Sequence, residues 1–495
     1  MNYKKNRIPF QTQPRRLVDH KGRKKCNYLL IDDACASIKN SFDIGDDHLL
    51  SIALISLTSF LETQKIIALP HSFGKLSIIQ ILLTISNNKE SQFNSEQITS
   101  SISSLKYIFR SNQMCNSYLN EDVITSICEI INNWEEIFQF NKEEYEEEVI
   151  SIGDLIQIIT SLLNYDVSLL DLINSMLPVQ FLIDMYFSLS FNDDYVAECF
   201  SSYFCSFFDF ASSDLLNESL DESIAFFNFC LSCYQKEIKP TYQYNLWSLS
   251  EIIIKLAKNF NLAHFIDLKL HDFINYAILE DDNNIVDQAL RFISIFYSVF
   301  IHLEENHSEN GENTDDDFFS PEEDNLFYIE NLIMIPRDRE KLSEYTKCYS
   351  IIVLEKIFKC NRNYLELFFK YEMPEYFISE FSNMRFDIKE AVCSLFLYIV
   401  EIIGDDFLIE MIKQNLIGMF IEYFDTGSLK YEILIGIKCI LDRLQEIDFP
   451  LMIEMVVALQ DDLFQETLLE IMSSENQRCS EIATIVRDMT FIEDI

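Results

Sequence analysis

The chain has 495 residues, with 38 basic and 80 acidic side chains and a formal net charge of −42. That charge excludes general nucleic-acid binding, which needs a basic face for phosphates, and favours solubility and basic partners. Nine glycines and nine prolines are too few for an all-β fold, whereas 48% hydrophobic residues can fill a long core of helices joined by short polar loops.

Residues 1–30 read as a basic N-terminal arm. Lys4, Lys5, Arg7, Arg15, Arg16, Lys21, Arg23, Lys24 and Lys25 stand there against Asp19 alone. The arm is polar and holds Pro9 and Pro14, so it is expected to be disordered when unbound. It reads as a plain solvated terminus, as a recognition segment, or as a plug for the acidic body.

From Asp46 to Ile492 apolar residues recur at helical spacing, as in Leu49-Leu50-Ile52-Ile55 and Leu155-Ile158-Ile159-Leu162. Polar clusters at Asn87-Asn88, Asn192-Asp193-Asp194 and Asp281 to Asn284 mark turns. Leu177-Pro178 and Met373-Pro374 each open a helix, where proline costs no hydrogen bond. Of the 13 cysteines, only Cys230 and Cys233 have C-x-x-C spacing. With no second pair and no His cluster beside them, no metal or other cofactor is expected. With no secretory leader, the scattered thiols read as reduced core residues of an intracellular protein. No apolar run has the length of a membrane span. Glu304 to Asn325 is dominated by Glu and Asp, with Gly311 and Pro321. It is expected to be a disordered acidic loop inserted between two units, a spacer or a bait for basic ligands.

Towards the C-terminal side the pattern repeats. Lys370, Phe381 and Leu395 are answered by Lys413, Phe424 and Ile437, at separations of 43, 43 and 42 residues. A helical period of roughly 40–47 residues is that of armadillo and HEAT repeats. The expected fold is therefore all-α, an armadillo/HEAT-type α-solenoid in a right-handed superhelix over residues 46–492, interrupted at 304–325. Such stacks offer extended binding surfaces. The chain holds no Gly-rich phosphate loop, no G-x-S-x-G and no H-E-x-x-H. The expectation is a protein-binding chain and not an enzyme, with no catalytic residues.

Several segments resemble the third helices of importin alpha, the armadillo adapter for basic nuclear localisation signals. Trp247-Ser248-Leu249-Ser250-Glu251 is similar to the family's W-A-L/I-S-N, with Glu in place of Asn. Ala289-Leu290-Arg291 lies one period on and is similar to its A-L-R variant. Lys389-Glu390-Ala391 with Cys393-Ser394-Leu395 resembles K-E-A-C-W-A-I-S-N. Asn415 to Gln445 and Glu470 to Phe491 resemble the family's last helices. The likeness covers roughly residues 176–491.

The resemblance implies an acidic concave groove that binds basic peptides, with Tyr203, Trp247, Glu251, Arg291 and Glu355 along it. In the family, the Trp ring flanks a lysine stem and the Asn one turn later holds the peptide backbone. Here the Asn places are Phe207, Glu251, Ile295, Glu355 and Leu397. Glu251 and Glu355 read either as solvated groove residues or as direct readers of a cation. Trp247, Tyr203 and Phe207 also read as core filling, and Arg291 as the partner of an acidic neighbour. The resemblance further implies importin beta binding, or self-occupation of the groove, by the arm through Arg15, Arg16, Arg23, Lys24 and Lys25. It places the chain in cytoplasm and nucleus, with no nucleic acid or membrane partner. The alternative is an armadillo/HEAT scaffold for an unrelated protein.

Overall fold

The computed structural model describes residues 28–63, 71–88, 92–110, 120–138, 145–189, 193–218, 220–256, 262–310, 326–474 and 476–490. The basic arm lies outside the described residues, save that residues 28–30 already belong to the Tyr28–Ile44 helix. Helical order thus begins before Asp46, because Ile31, Cys35 and Ile38 are fully buried. Among the described residues every regular element is helical. They form two compact units, one up to Tyr165 and one from Asp166.

In the first unit the Tyr28–Ile44, Asp47–Thr63, Ser95–Phe109 and Tyr145–Tyr165 helices pack side by side in sequence order. The Ser95–Phe109 helix starts on a capping box. Asn94 accepts from the Gln97 backbone, and the Gln97 side chain accepts from the Asn94 backbone. Polar contacts cross the row: Thr58 Oγ1 donates to Ser100 O at 3.0 Å, and Lys106 Nζ meets the buried Asp154 at 2.7 Å.

The second unit is built on a row of long helices. Asp194–Phe210, Tyr242–Lys255, Asn283–Asn310, Glu344–Cys360, Phe386–Ile402, Lys430–Ile447 and Gln477–Thr490 each pack on the next. Side-chain caps start several helices, with Asp193, Ser343, Asp448 and Asp461 accepting backbone N–H groups. Their first-turn amides would otherwise lack partners.

Behind the row, a local device recurs. A short helix is followed by one residue with positive φ, which starts a second helix. Lys269 (φ 56°), Glu372 (φ 56°) and Asn415 (φ 82°) hold this place before Leu270–Ile278, Met373–Glu380 and Leu416–Phe424. Each second helix then leads into a long one, giving a three-helix repeat. Pro374 sits in the first turn of its helix, while Pro178 precedes Val179–Ser188 as its cap.

Cations and a phenol staple successive long helices. Lys255 Nζ donates to Phe208 O and, at 2.8 Å, to Asp209 O. Tyr398 Oη donates to Phe358 O at 3.1 Å. Arg443 donates to Val400 O at 2.9 Å and Ile403 O at 2.8 Å. These carbonyls end the preceding helices, where acceptors are unsatisfied and the helix dipole favours positive charge.

The Asn283–Asn310 helix runs for 28 residues and so continues through 304–310, the first part of the segment expected to be loop. Residues 311–325 lie outside the described residues. Their position accounts for a long step in the row, from Asn283 to Glu344, between neighbours that otherwise follow the repeat.

Candidate functional site: the row of long helices

Trp247 and Glu251 lie one turn apart on the Tyr242–Lys255 helix, and Arg291 reaches them from the next long helix. The Arg291 guanidinium carbon sits 3.6 Å from the Trp247 ring centroid. Its Nη2 donates to Glu251 Oε1 at 2.5 Å, and Lys255 Nζ lies 3.7 Å from Glu251 Oε2. Glu251 is only 8% exposed, so the pair is largely shielded from water. The geometry seats a cation on an indole face with a carboxylate behind it. That cation belongs to the chain itself.

Two of the sequence expectations need correction here. Tyr203 is fully buried and does not line a groove. Phe200, Tyr203, Phe204, Phe207 and Phe208 lie on one helix, all 0% exposed, and so fill the space between helices. Phe204 packs edge-on to Phe226 and Phe229, with centroids 5.7 and 5.1 Å away. Arg291 is not an open groove residue either, because it is spent on Trp247 and Glu251. Glu355 is half-buried and held within the row: it accepts from Lys359 at 2.6 Å and from Ser394 Oγ at 2.9 Å.

The places of the missing amides carry packing instead. Phe207 is fully buried, and Leu397 lies against Gly436 of the next long helix. A Cβ on Gly436 would stand 2.5 Å from Leu397 Cδ2, so a larger residue there requires the end of the Leu397 side chain to shift.

The structure adds residues that the sequence reading missed. Tyr345, 61% exposed, stacks on Tyr349 at 6.4 Å, and Ile352 follows one turn on at 40% exposure. Tyr349 also lies beside Ser294, and Arg291 acts on its phenol. The Y-x-x-x-Y-x-x-I spacing was visible, but such spacing reads equally as a core stripe. Acidic side chains lie at several points along the row, and Asp287 acts on Tyr349. Burial raises the carboxyl pKa of Glu198 and of Asp287 above the ordinary range. Glu390 is half-buried and Glu401 is exposed.

A polar cleft of about 200 Å³ lies beside the row, lined by Glu344, Lys347, Tyr376 and Glu380 among others. Lys347 meets Glu344 at 3.0 Å within it. Among the described residues no group of three or more His, Cys, Asp or Glu side chains is placed to hold a metal. Cys230 and Cys233 are fully buried, and burial pushes the Cys233 thiol up to about 11. Among the described residues no single helix is long and apolar enough to cross a membrane. One bent pair, Val167–Met176 with Val179–Ser188, passes by length and composition.

No protein-family model matches the chain, and no curated protein matches it. Solved structures do. The crystal structure of an engineered protein, a structural-genomics target, aligns over 93% of this chain and 98% of its own at TM-score 0.60 and 9% identity. A second engineered protein covers 54% of this chain and 97% of its own at 9% identity, with a TM-score of 0.38. The first likeness shows the fold: this chain is an all-α solenoid.

Proposed function

We propose that this chain is a non-enzymatic, protein-binding α-solenoid that takes basic segments of other proteins. In its specific form it is a divergent nuclear import adapter of the importin alpha kind, moving between cytoplasm and nucleus. The observation that carries the reading is the Trp247–Arg291–Glu251 arrangement on the row of long helices. It has the chemistry of a basic-peptide subsite, an indole wall backed by a carboxylate, on a chain whose net charge is −42. A partner's lysine or arginine would displace Arg291 rather than enter an empty slot. The arm residues Arg15, Arg16, Arg23, Lys24 and Lys25 would meet importin beta or compete for the same surface.

The second reading, a scaffold for an unrelated protein, is favoured by Phe207 and Leu397. Buried apolar side chains at the amide places leave no ladder of hydrogen bonds for a peptide backbone.

The test is an anisotropy titration of a labelled Lys-rich localisation peptide against the full chain at low salt. Arg15, Arg16, Arg23, Lys24 and Lys25 are replaced by Ser to remove internal competition. Saturable binding that Glu251→Gln weakens is expected. Absence of binding sinks the adapter reading, and recovery of a stable complex lacking importin beta and basic cargo favours the scaffold.

A further inference from the structure

The Phe449–Ala458 helix breaks the amphipathic rule. Leu451, Met455 and Val456 are buried, as a core-facing side should be. Yet Phe449, Ile453 and Val457 are 55%, 39% and 59% exposed, and Glu454 is the helix's one charged residue. A helix that is apolar all round is normally covered on all sides. The three exposed side chains lie at i, i+4 and i+8, a stripe roughly 12 Å long at 1.5 Å per residue.

The surroundings say what fits it. From Arg443 to Arg478 there is no intervening lysine, arginine or histidine. Over the same stretch Glu446, Glu454, Asp461, Asp462 and Glu466 are exposed. An apolar stripe whose flanking sequence offers exposed carboxylates and no cation is complementary to a helix that carries apolar anchors on one face and cations beside them. A second copy of this chain would bring the same carboxylates and be repelled. Gln460 Nε2 donates to the carbonyl of Thr490, the last described residue, at 2.8 Å. Residues 491–495 read Phe-Ile-Glu-Asp-Ile, two more carboxylates and no cation, and so lack the charge that complements Glu446, Glu454, Asp461, Asp462 and Glu466.

We propose that Phe449, Ile453 and Val457 form a docking stripe for a basic amphipathic helix of a protein partner. This surface is separate from the Trp247 region and does not depend on the adapter reading.

The test uses the full chain and two probes of equal charge, a short amphipathic Leu/Lys helix and an unstructured Lys/Ser peptide. Calorimetry is run on the parent chain and on the Phe449→Ser/Ile453→Ser/Val457→Ser variant. All three positions are exposed, so the variant should keep the parent's helical circular dichroism. The expected result is an affinity loss of about tenfold for the Leu/Lys helix alone, with the Lys/Ser peptide unaffected. Several outcomes would overturn the proposal: equal affinity of parent and variant, a parent dimer that the variant abolishes, binding to neutral lipid vesicles that the variant abolishes, or binding that appears only after residues 491–495 are removed.

Discussion

Arg291 covers an indole and neutralises a buried carboxylate with one guanidinium. The chain has two tryptophans, Trp134 and Trp247, so in a Trp134→Phe background the emission reports this stack alone. Arg291→Ala is expected to shift that emission to longer wavelength and to tighten binding of a Lys-rich peptide. It should also lower stability by about 1–3 kcal/mol, because Glu251 keeps only the longer Lys255 contact. Weaker peptide binding would show that Arg291 itself touches the partner. His271 offers a second residue-scale test. Burial holds its pKa below the ordinary 6.5, outweighing the raising effect of Asp272, while Lys269 lowers it further. The folded state therefore disfavours the imidazolium. Its contribution to stability is complete above the unfolded value and is lost as pH falls through and below about 6.5. Thermal melts between neutral and mildly acidic pH should show a shallower fall for His271→Gln than for the parent. Parallel curves would assign the slope to other groups.

The helices themselves were legible, for physical reasons. Strong apolar periodicity, polar breaks at Asn88 and Asp193, and few glycines all point one way, and Asn88 and Asp193 do end and begin helices. The short links were not legible. Left-handed backbone normally announces itself as glycine; Asn415 carries the weaker signal of a residue that tolerates this region, whereas Lys269 and Glu372 hold it with no local signal to separate them from helical residues. The 304–325 segment shows the opposite error. Its acidity suggested loop from Glu304, yet the preceding helix runs on to Asn310 although residues 304–310 include no apolar side chain. Gly436 marks an element-scale prediction. Gly436→Ala places a methyl against Leu397 Cδ2, the far end of a side chain that can rotate away, while alanine favours the helix by about 1 kcal/mol over glycine, so the net change in stability should stay within about 1 kcal/mol. The Gly436→Ala/Leu397→Ala double variant should cost less than the two singles added together, as denaturant melts would show. Additive costs would mean that the two long helices do not meet there.

Over the whole molecule, period and charge were readable while the state of the candidate site was not. A spacing of 42–43 residues can be read from this chain alone, whereas at 9% identity the likeness to an engineered protein is visible only in the fold. Whether Trp247 faces a partner or an internal arginine depends on a side chain 44 positions away. Tyr203 likewise shares the spacing of the groove positions and yet is buried, because period alone does not set which way a long helix turns its faces. The staples at Lys255, Tyr398 and Arg443 have a mechanical meaning. Each ties a side chain of one long helix to backbone carbonyls of the one before. Tension applied along the second unit is thus borne at discrete points, and each can fail while its neighbours hold. Single-molecule pulling should record a sawtooth of small ruptures, and Arg443→Met should weaken one tooth. A single cooperative rupture would mean that the load is shared by the core. If single staples re-form after they break, the second unit should extend and recoil without losing its helices, which repeated stretch–relax cycles on one molecule would record as superimposable traces.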